Sequence, residues 1–168
     1  MKNFIYFLII SLAALFASAC IGQYKAIKWS INVEGHLKRA ADANTIEMAQ
    51  KELTQVIDYL ESVNMTKGDT SIIWSTPDTD IGFWYENLNS SLNELKKVTA
   101  ETSQLEKTNL LMKLRETLLD HGERGDIVTQ PLNIFYYPYV IISLLNWLFL
   151  LLVIVAICVF LIVSKLIN

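Results

Sequence analysis

The sequence predicts an all-α membrane protein, an antiparallel helical bundle between two transmembrane helices. Whether a short two-stranded β piece is also present is left open. Apolar residues form 52% of the 168-residue chain and concentrate at its two ends. All acidic residues lie between those ends, where apolar residues recur at steps of three and four. The chain therefore divides into an N-terminal anchor (1–22), a helical domain (23–133) and a C-terminal anchor (134–168).

The N-terminal apolar run, residues 4–21, has the lower-limit length for a membrane span and exceeds the usual apolar core of a signal peptide. Three interpretations fit its end, ALFASACIGQ: cleavage after Ala19, acylation of Cys20, or a retained membrane helix. Acylation is disfavoured because Ala17 stands three residues before the cysteine, where a lipoprotein signal requires Leu or a similar residue. We predict a retained signal-anchor helix that continues outward without a break to near Asp42.

Aromatic residues flank both apolar runs where a helix would leave the bilayer. Tyr and Trp favour this interface because each ring combines an apolar body with a polar tip. The predicted membrane-interface residues are Tyr24 and Trp29 after the first run, and Phe135, Tyr136, Tyr137 and Tyr139 before the second.

Capping patterns mark the starts of the helices in the domain. Asn44 and Glu47 match a reciprocal capping box, and a helix with one apolar face is expected after them. That face consists of Ile46, Ala49, Leu53, Val56, Ile57, Leu60 and Val63. The next helix follows Pro77 and the carboxylates of TPDTD, and its stripe consists of Ile81, Trp84, Leu88, Leu92, Leu95 and Val98.

The last helix of the domain opens with Ser103 and Glu106, a second capping box, and is expected to end at His121 and Gly122. Its apolar residues include Leu111, Leu114 and Leu118. The β-prone residues 70–76 are expected to pair with residues 126–129, which would form a marginal two-stranded piece.

The C-terminal run carries no charge from residue 139 to residue 163. At about 1.5 Å per residue, this length crosses a hydrocarbon core of about 30 Å with some tilt. Apolar residues surround the whole helix, whereas a buried helix of a soluble protein keeps a polar stripe. Asn146 is a polar exception, which either hydrogen-bonds to a neighbouring helix or is tolerated near the interface.

The domain carries no pattern typical of an enzyme. Cys20 and Cys158 both lie in the apolar ends, so the domain has neither a disulfide framework nor a thiolate metal site. His36 and His121 suit a solvated helix face and a helix end. No triad, paired carboxylates or zinc spacing is present, and we expect no catalytic residue, cofactor or metal. The acidic balance also excludes a nucleic-acid partner, which would need a concentrated basic face.

The aromatic stretch GFWYENL is the strongest candidate for an interaction site. Three successive rings cover most of a helix circumference, so one bundle face cannot bury all of them. Either Trp84 enters the core and the other rings pack under the loop around Trp74, or an aromatic patch stays open to a partner or an apolar ligand. The interaction candidates are Trp74, Phe83, Trp84, Tyr85 and, inside the last span, Asn146.

Three blocks of the chain, HLKRAADANTIEMAQ, TPDTDIGFWYENL and TSQLEKTNLLMKLRETLLDHG, resemble an uncharacterised family of small membrane-anchored helical bacterial proteins. The resemblance covers about residues 36–129 and implies no known activity. The span from Tyr139 onward departs from that pattern, since members end soon after the segment that corresponds to VTQP.

The charge distribution and the signal-like features disagree about the side of the membrane on which the helical domain lies. Lys25, Lys28, Lys38 and Arg39 follow the first span, and this bias alone would keep the domain in the cytoplasm. The bias is weak for domains longer than about 60 residues, and the MKN start, apolar run and Ala-Ser-Ala look like an export signal. We predict a bacterial inner-membrane protein whose domain is extracytoplasmic.

These features predict a non-enzymatic, membrane-anchored helical interaction protein, an accessory or scaffold subunit of a membrane protein assembly. Its expected partners are the lipid bilayer and other membrane proteins or further copies of itself. The alternative is an extracytoplasmic helical ligand-binding sensor that signals through a partner, since a helical bundle between two spans is the layout of bacterial sensor modules.

Overall fold

The computed structural model describes residues 2–72, 74–123, 125–138 and 140–167. The chain is mostly helical (72%), with a small two-stranded antiparallel sheet. The N-terminal apolar run and the amphipathic segment after it form one unbroken rod: helix α1 (Lys2–Trp29), a π-helical turn (Ser30–Glu34) and helix α2 (Gly35–Ala41). The rod ends at Asp42, so the predicted outward continuation of the first helix is confirmed.

Among the described residues, one helix near the N-terminus, Ile9–Ala41, is long and apolar enough to cross a membrane or to be a signal sequence. Helix α6 (Val140–Ile167) packs beside α1, and its shorter apolar stretch is Trp147–Val159. The side chains of residues 140–146 lie outside the described part of the chain. The second span therefore stays a prediction.

Helix α3 (Ile46–Ser62) buries the predicted apolar face, except for Val63, which lies beyond the helix end and is exposed. The predicted cap at Asn44 is wrong by one residue. Thr45 has the extended backbone of an N-cap, and its Oγ1 accepts a hydrogen bond from the amide of Met48 at 3.2 Å. Both residue types can cap, and the turn after α2 places the second of them at the helix start.

Helix α4 (Ile81–Lys96) begins as predicted from the TPDTD carboxylates, because Asp80 Oδ1 accepts a hydrogen bond from the amide of Phe83 at 3.1 Å. Its predicted stripe is buried within the helix, and Val98 packs partly buried beyond the helix end.

Two side-chain hydrogen bonds fix the antiparallel arrangement of α3 and α4. Near the start of α3, Gln50 Nε2 donates to the carbonyl of Leu95 in the last turn of α4 at 2.7 Å. At the other end, Tyr85 in the first part of α4 donates to Glu61 Oε1 in the last turn of α3 at 2.7 Å.

Helix α5 (Gln104–Leu118) opens with the predicted capping box, in which Ser103 and Glu106 exchange side-chain and backbone hydrogen bonds. Its predicted end at His121 and Gly122 is wrong, because the helix stops at Leu118 and the chain then enters a strand.

The small sheet is a hairpin of strands β1 (Leu119–Gly122) and β2 (Gly125–Val128), with Leu119 opposite Val128. The predicted pairing of residues 70–76 with 126–129 is therefore wrong. Closing a hairpin across its own short turn costs less chain entropy than joining segments about 50 residues apart. Gly125, at φ +120°, supplies the turn conformation that a residue with a side chain rarely adopts.

One hydrophobic core joins the rod from Trp29 onward, α3, α4, α5, the hairpin and the segment between β2 and α6. We call this last segment, residues 129–138, the connector. Its largest fully buried side chains include Leu37, Leu53, Leu60, Ile81, Leu88, Leu95, Leu118 and Ile134. Because the core includes Ile134, the connector is packed as part of the domain.

The cap of α3 can be tested by two neighbouring substitutions. Thr45→Ala should lower the free energy of unfolding by about 1 kcal/mol, since it removes the acceptor for a helix-start amide. Asn44→Ala is the matched control and should change the stability by a few tenths of that amount. Denaturant unfolding of the full chain in detergent, followed by circular dichroism, measures both. A larger loss for the Asn44 variant would contradict the assignment.

Candidate functional site

The end of α1 forms a buried junction with the domain. Trp29 is only 3% exposed, and its ring centroid lies 6.2 Å from that of Trp84. The indole Nε1 of Trp29 donates to Gln130 Oε1 at 2.9 Å, and Gln130 Nε2 donates in turn to Glu34 Oε1 at 2.9 Å. One amide thus joins two points of the rod to the connector that leads to α6.

A second indole, next to that of Trp29, holds the adjacent residue of the same connector. Trp84 Nε1 donates to the carbonyl of Thr129 at 2.8 Å, and the amide of Thr129 donates to the carbonyl of Leu118 at 2.9 Å. A buried indole requires a hydrogen-bond acceptor, so both tryptophans fix the path of the backbone beside them.

The predicted interface aromatics lie in different environments. Tyr24 is exposed on α1, whereas Trp29 lies in the domain core because its ring packs on Trp84 and its Nε1 has a partner there. Tyr139 lies outside the described residues. The remaining three are partly buried in the connector and are Phe135, Tyr136 and Tyr137.

Tyr136 connects the connector to the end of the apolar run. A Cβ on Gly22 would lie 3.5 Å from the ring of Tyr136, an ordinary van der Waals distance, so the ring lies against α1 at this residue. The ring of Phe135 stacks on Tyr136 with centroids 4.4 Å apart. The aromatic connector therefore contacts α1 just before α6 begins.

The structure agrees only in part with the two alternatives predicted for the aromatic stretch GFWYENL. Trp84 enters the core, and the hydroxyl of Tyr85 donates a hydrogen bond to Glu61 Oε1. Phe83 stays 61% exposed and Trp74 stays 76% exposed, together with Ile72. We call the side chains of Ile72, Trp74 and Phe83 the Trp74 surface.

A groove of about 380 Å³ lies beside the Trp74 surface. It is lined by Phe83, by Pro77 and the two residues before it, and by Asp69 and Asp80. Its apolar wall is thus formed by the first turn of α4 and the loop that precedes it.

Helices α1 and α6 present large apolar side chains outward. Ser11 of α1 and Val153 of α6 are buried where the two helices pack, while Cys20 and Cys158 are free and exposed. The backbone of Asn146 lies in α6, but its side chain is outside the described part of the structure. The exposed large apolar residues include Tyr6, Phe7, Ile9, Ile10, Leu12, Phe16 and Ile21 on α1, and Trp147, Leu148, Leu151, Leu152, Ile154, Val155, Val159 and Ile162 on α6.

A buried ion cluster was not anticipated from the sequence. Glu52 is 5% exposed, and its two carboxylate oxygens lie 2.6 Å from His36 Nδ1 and 2.6 Å from Arg39 Nη2. His36 therefore does not lie on a simple solvated face. The sequence contains one indication of this cluster. Glu52 lies three residues after Ala49, on the apolar face of α3, where a charged side chain needs a partner.

A second charged cluster joins the rod to the hairpin. Arg115 pairs with Asp42 and, at 2.6 Å, with Asp126, whose other oxygen lies 2.9 Å from His121 Nδ1. The hydrogen bonds from His121 and then Arg115 lower the pKa of Asp126. Among the described residues, no group of three or more His, Cys, Asp or Glu side chains could hold a metal ion.

Comparison with protein-family models, with curated proteins and with solved structures finds no match for this chain.

The role of the buried carboxylate can be tested against a matched exposed pair. Glu52→Gln should lower the free energy of unfolding by on the order of 2 kcal/mol, because a buried charge-assisted hydrogen-bond acceptor is lost. Glu94→Gln removes the exposed pair with Lys113 and should cost less than about 1 kcal/mol. Denaturant unfolding of both variants provides the comparison. Equal losses would show that the burial of Glu52 contributes nothing.

The bond between Tyr85 and Glu61 predicts a specific alkaline titration. The hydrogen bond to Glu61, and then burial, raise the pKa of Tyr85 to about 12. The bond needs a protonated phenol, so its contribution is complete below the ordinary phenol pKa of about 10 and is lost as the pH rises through about 12.

The phenolate absorbance of the wild-type chain minus that of Tyr85→Phe should therefore show a midpoint near 12. Glu61→Gln should move this midpoint down toward about 10. Circular dichroism at each pH verifies that the helices persist. A midpoint that Glu61→Gln leaves unchanged would exclude the carboxylate as the cause.

Proposed function

We propose that this chain is a non-enzymatic interaction protein, held in the membrane by two helices and serving as an accessory or scaffold subunit of a membrane protein assembly. The observation that carries the proposal is the outward apolar surface of α1 and α6. The described inward residues of α1 form a narrow strip at steps of three and four, which includes Ser11, Leu15, Ser18 and Gly22. The large apolar residues lie outside that strip and require lipid or another apolar helix around them.

The small residues of this strip support a helix pair within a bilayer. Ser11 and Ser18 are small enough for two helix backbones to approach closely, which is the usual basis of helix association in lipid, whereas Gly22 faces the ring of Tyr136. In the proposed arrangement α6 is the second span, and the uncharged residues 139–163 provide its length. Both helices enter the same membrane face, and the domain stands outside the cytoplasm of a bacterial inner membrane.

The charged groups of the domain favour an interaction role over catalysis. Glu52, Arg115 and Glu94 form ion pairs with neighbouring elements of the domain itself. Each of these pairs joins two helices, or a helix and the hairpin, and so stabilises the bundle. Their partners within the bundle account for these groups, so no catalytic role is needed to explain them.

The alternative, a ligand-binding sensor, is favoured by one observation. A groove of about 490 Å³ lies between the turn after α2 and the side of α5. Asp42 and Glu47 line one wall, and Lys107 and Arg115 line the other. The rod connects this groove directly to α1, so a ligand there could act on the membrane helix. A flat thermal-shift response of the full chain to a metabolite panel would count against a sensor.

Purification from native membranes tests the interaction proposal. The chain should stay in the pellet after an alkaline wash, since its apolar helices hold it in lipid. In mild detergent it should then elute with a second membrane protein at fixed stoichiometry, or as a defined oligomer of itself. The same chain made in a foreign membrane is the control for self-association. A monodisperse monomer from native membranes, with no co-purifying protein, would contradict the proposal.

A further inference from the structure

The connection between α3 and α4, residues 63–80, lies at the membrane-facing end of the domain. α2 leads away from α1, α3 returns after a turn of four residues, and α4 runs antiparallel to α3. The end of α3 and the start of α4 therefore lie level with Trp29. The packing of Trp84, in the first turn of α4, against Trp29 agrees with this level.

Contacts with the aromatic residues before α6 bring this connection close to the end of the apolar part of α1. The hydroxyl of Tyr137 donates to the carbonyl of Lys67 at 3.3 Å, and a Cβ on Gly68 would collide with the same phenol. The preceding residue, Tyr136, rests on Gly22, where the apolar part of α1 ends. The loop after Gly68 thus starts beside the point where both helices leave the proposed bilayer.

The loop presents its apolar residues from an ordered backbone. Asp69 Oδ1 accepts a hydrogen bond from the amide of Ser71 at 2.6 Å, and Ser71 Oγ accepts one from the amide of Trp74 at 3.2 Å. Trp74 is exposed in this turn, and the next residue, Ser75, lines the same groove as the exposed ring of Phe83. Holding large rings in water without a partner costs free energy, so this arrangement suits a surface that is covered in use.

The charges near the loop disfavour an anionic partner. Asp69, Asp78 and Asp80 outnumber Lys67 there. Asp69 and Asp80 accept hydrogen bonds from nearby amides, and the bond from Ser71 is the main cause of the lowered pKa of Asp69. The aromatic rings suit the interface of a zwitterionic bilayer, where an amphipathic ring is favoured without help from basic residues.

We infer that the Trp74 surface, the side chains of Ile72, Trp74 and Phe83, inserts into the interfacial layer of the leaflet from which α1 emerges and is a third membrane contact of the protein. The inference rests on the proposed function, since it takes α1 to lie in a bilayer. Two adjacent helices alone leave the tilt of the domain relative to the bilayer variable. A third contact would fix this tilt.

Site-specific quenching tests the inference on the full chain in phosphatidylcholine vesicles. In a Cys20→Ser, Cys158→Ser background, an environment-sensitive fluorophore is attached to Trp74→Cys, to Phe83→Cys or to Leu105→Cys. Leu105 is the matched control because it is 70% exposed but begins α5, away from the membrane-facing end. Phe16→Cys, on the exposed face of α1, reports on the anchor itself.

At positions 74 and 83, lipid nitroxides near the headgroup should quench about twofold more than those at the chain ends, because interfacial side chains lie about 5–10 Å into the headgroup boundary. Position 105 should respond only to an aqueous quencher. Quenching by lipid at 16 but not at 74 and 83 would overturn the third contact and leave the anchor intact. Protection of 74 from both quenchers would indicate a second copy on this surface and would also overturn it. Aqueous quenching at 16 would overturn both proposals.

Discussion

One helical rod presents apolar side chains outward along α1 and packs into a protein core along α2, and the change occurs at Trp29. Before this residue the large apolar side chains of α1 point outward, and after it Val33 and Leu37 are buried in the domain. Trp29 itself is buried, so its indole nitrogen needs an acceptor inside the protein. Gln130 provides it, and the connector to α6 must therefore pass beside the rod at this height.

The remaining architecture follows from that junction. The π-helical turn directly after Trp29 accommodates the four-residue steps to Val33 and Leu37, which would drift around a regular helix of 3.6 residues per turn. Trp84 binds the adjacent residue of the connector, Thr129, and brings the start of α4 to the same level. The loop that carries the Trp74 surface is thereby placed at the end of the domain where α1 and α6 enter it.

Local patterns in the sequence predicted the helices well, because capping and apolar periodicity act within a few residues. The same patterns could not show that the N-cap is Thr45 and not Asn44, since both types can cap and only the preceding turn decides. The pairing of the hairpin after α5 was missed because the residues of β1, LDHG, carry no β signal and were assigned to the end of the helix. Trp29 resembled an interface residue, and its burial depends on Gln130, about 100 residues away in the chain. Only tertiary packing shows that contact.

The coupling between Trp29 and Gln130 tests the junction most directly. Trp29→Phe removes the donor, Gln130→Met removes the acceptor, and the double variant completes a thermodynamic cycle for the full chain unfolded by denaturant in detergent. A buried contact of this kind predicts a coupling energy of about 0.5–3 kcal/mol. Strictly additive losses would contradict the account, because they would show that α1 and the connector are not held together at Trp29.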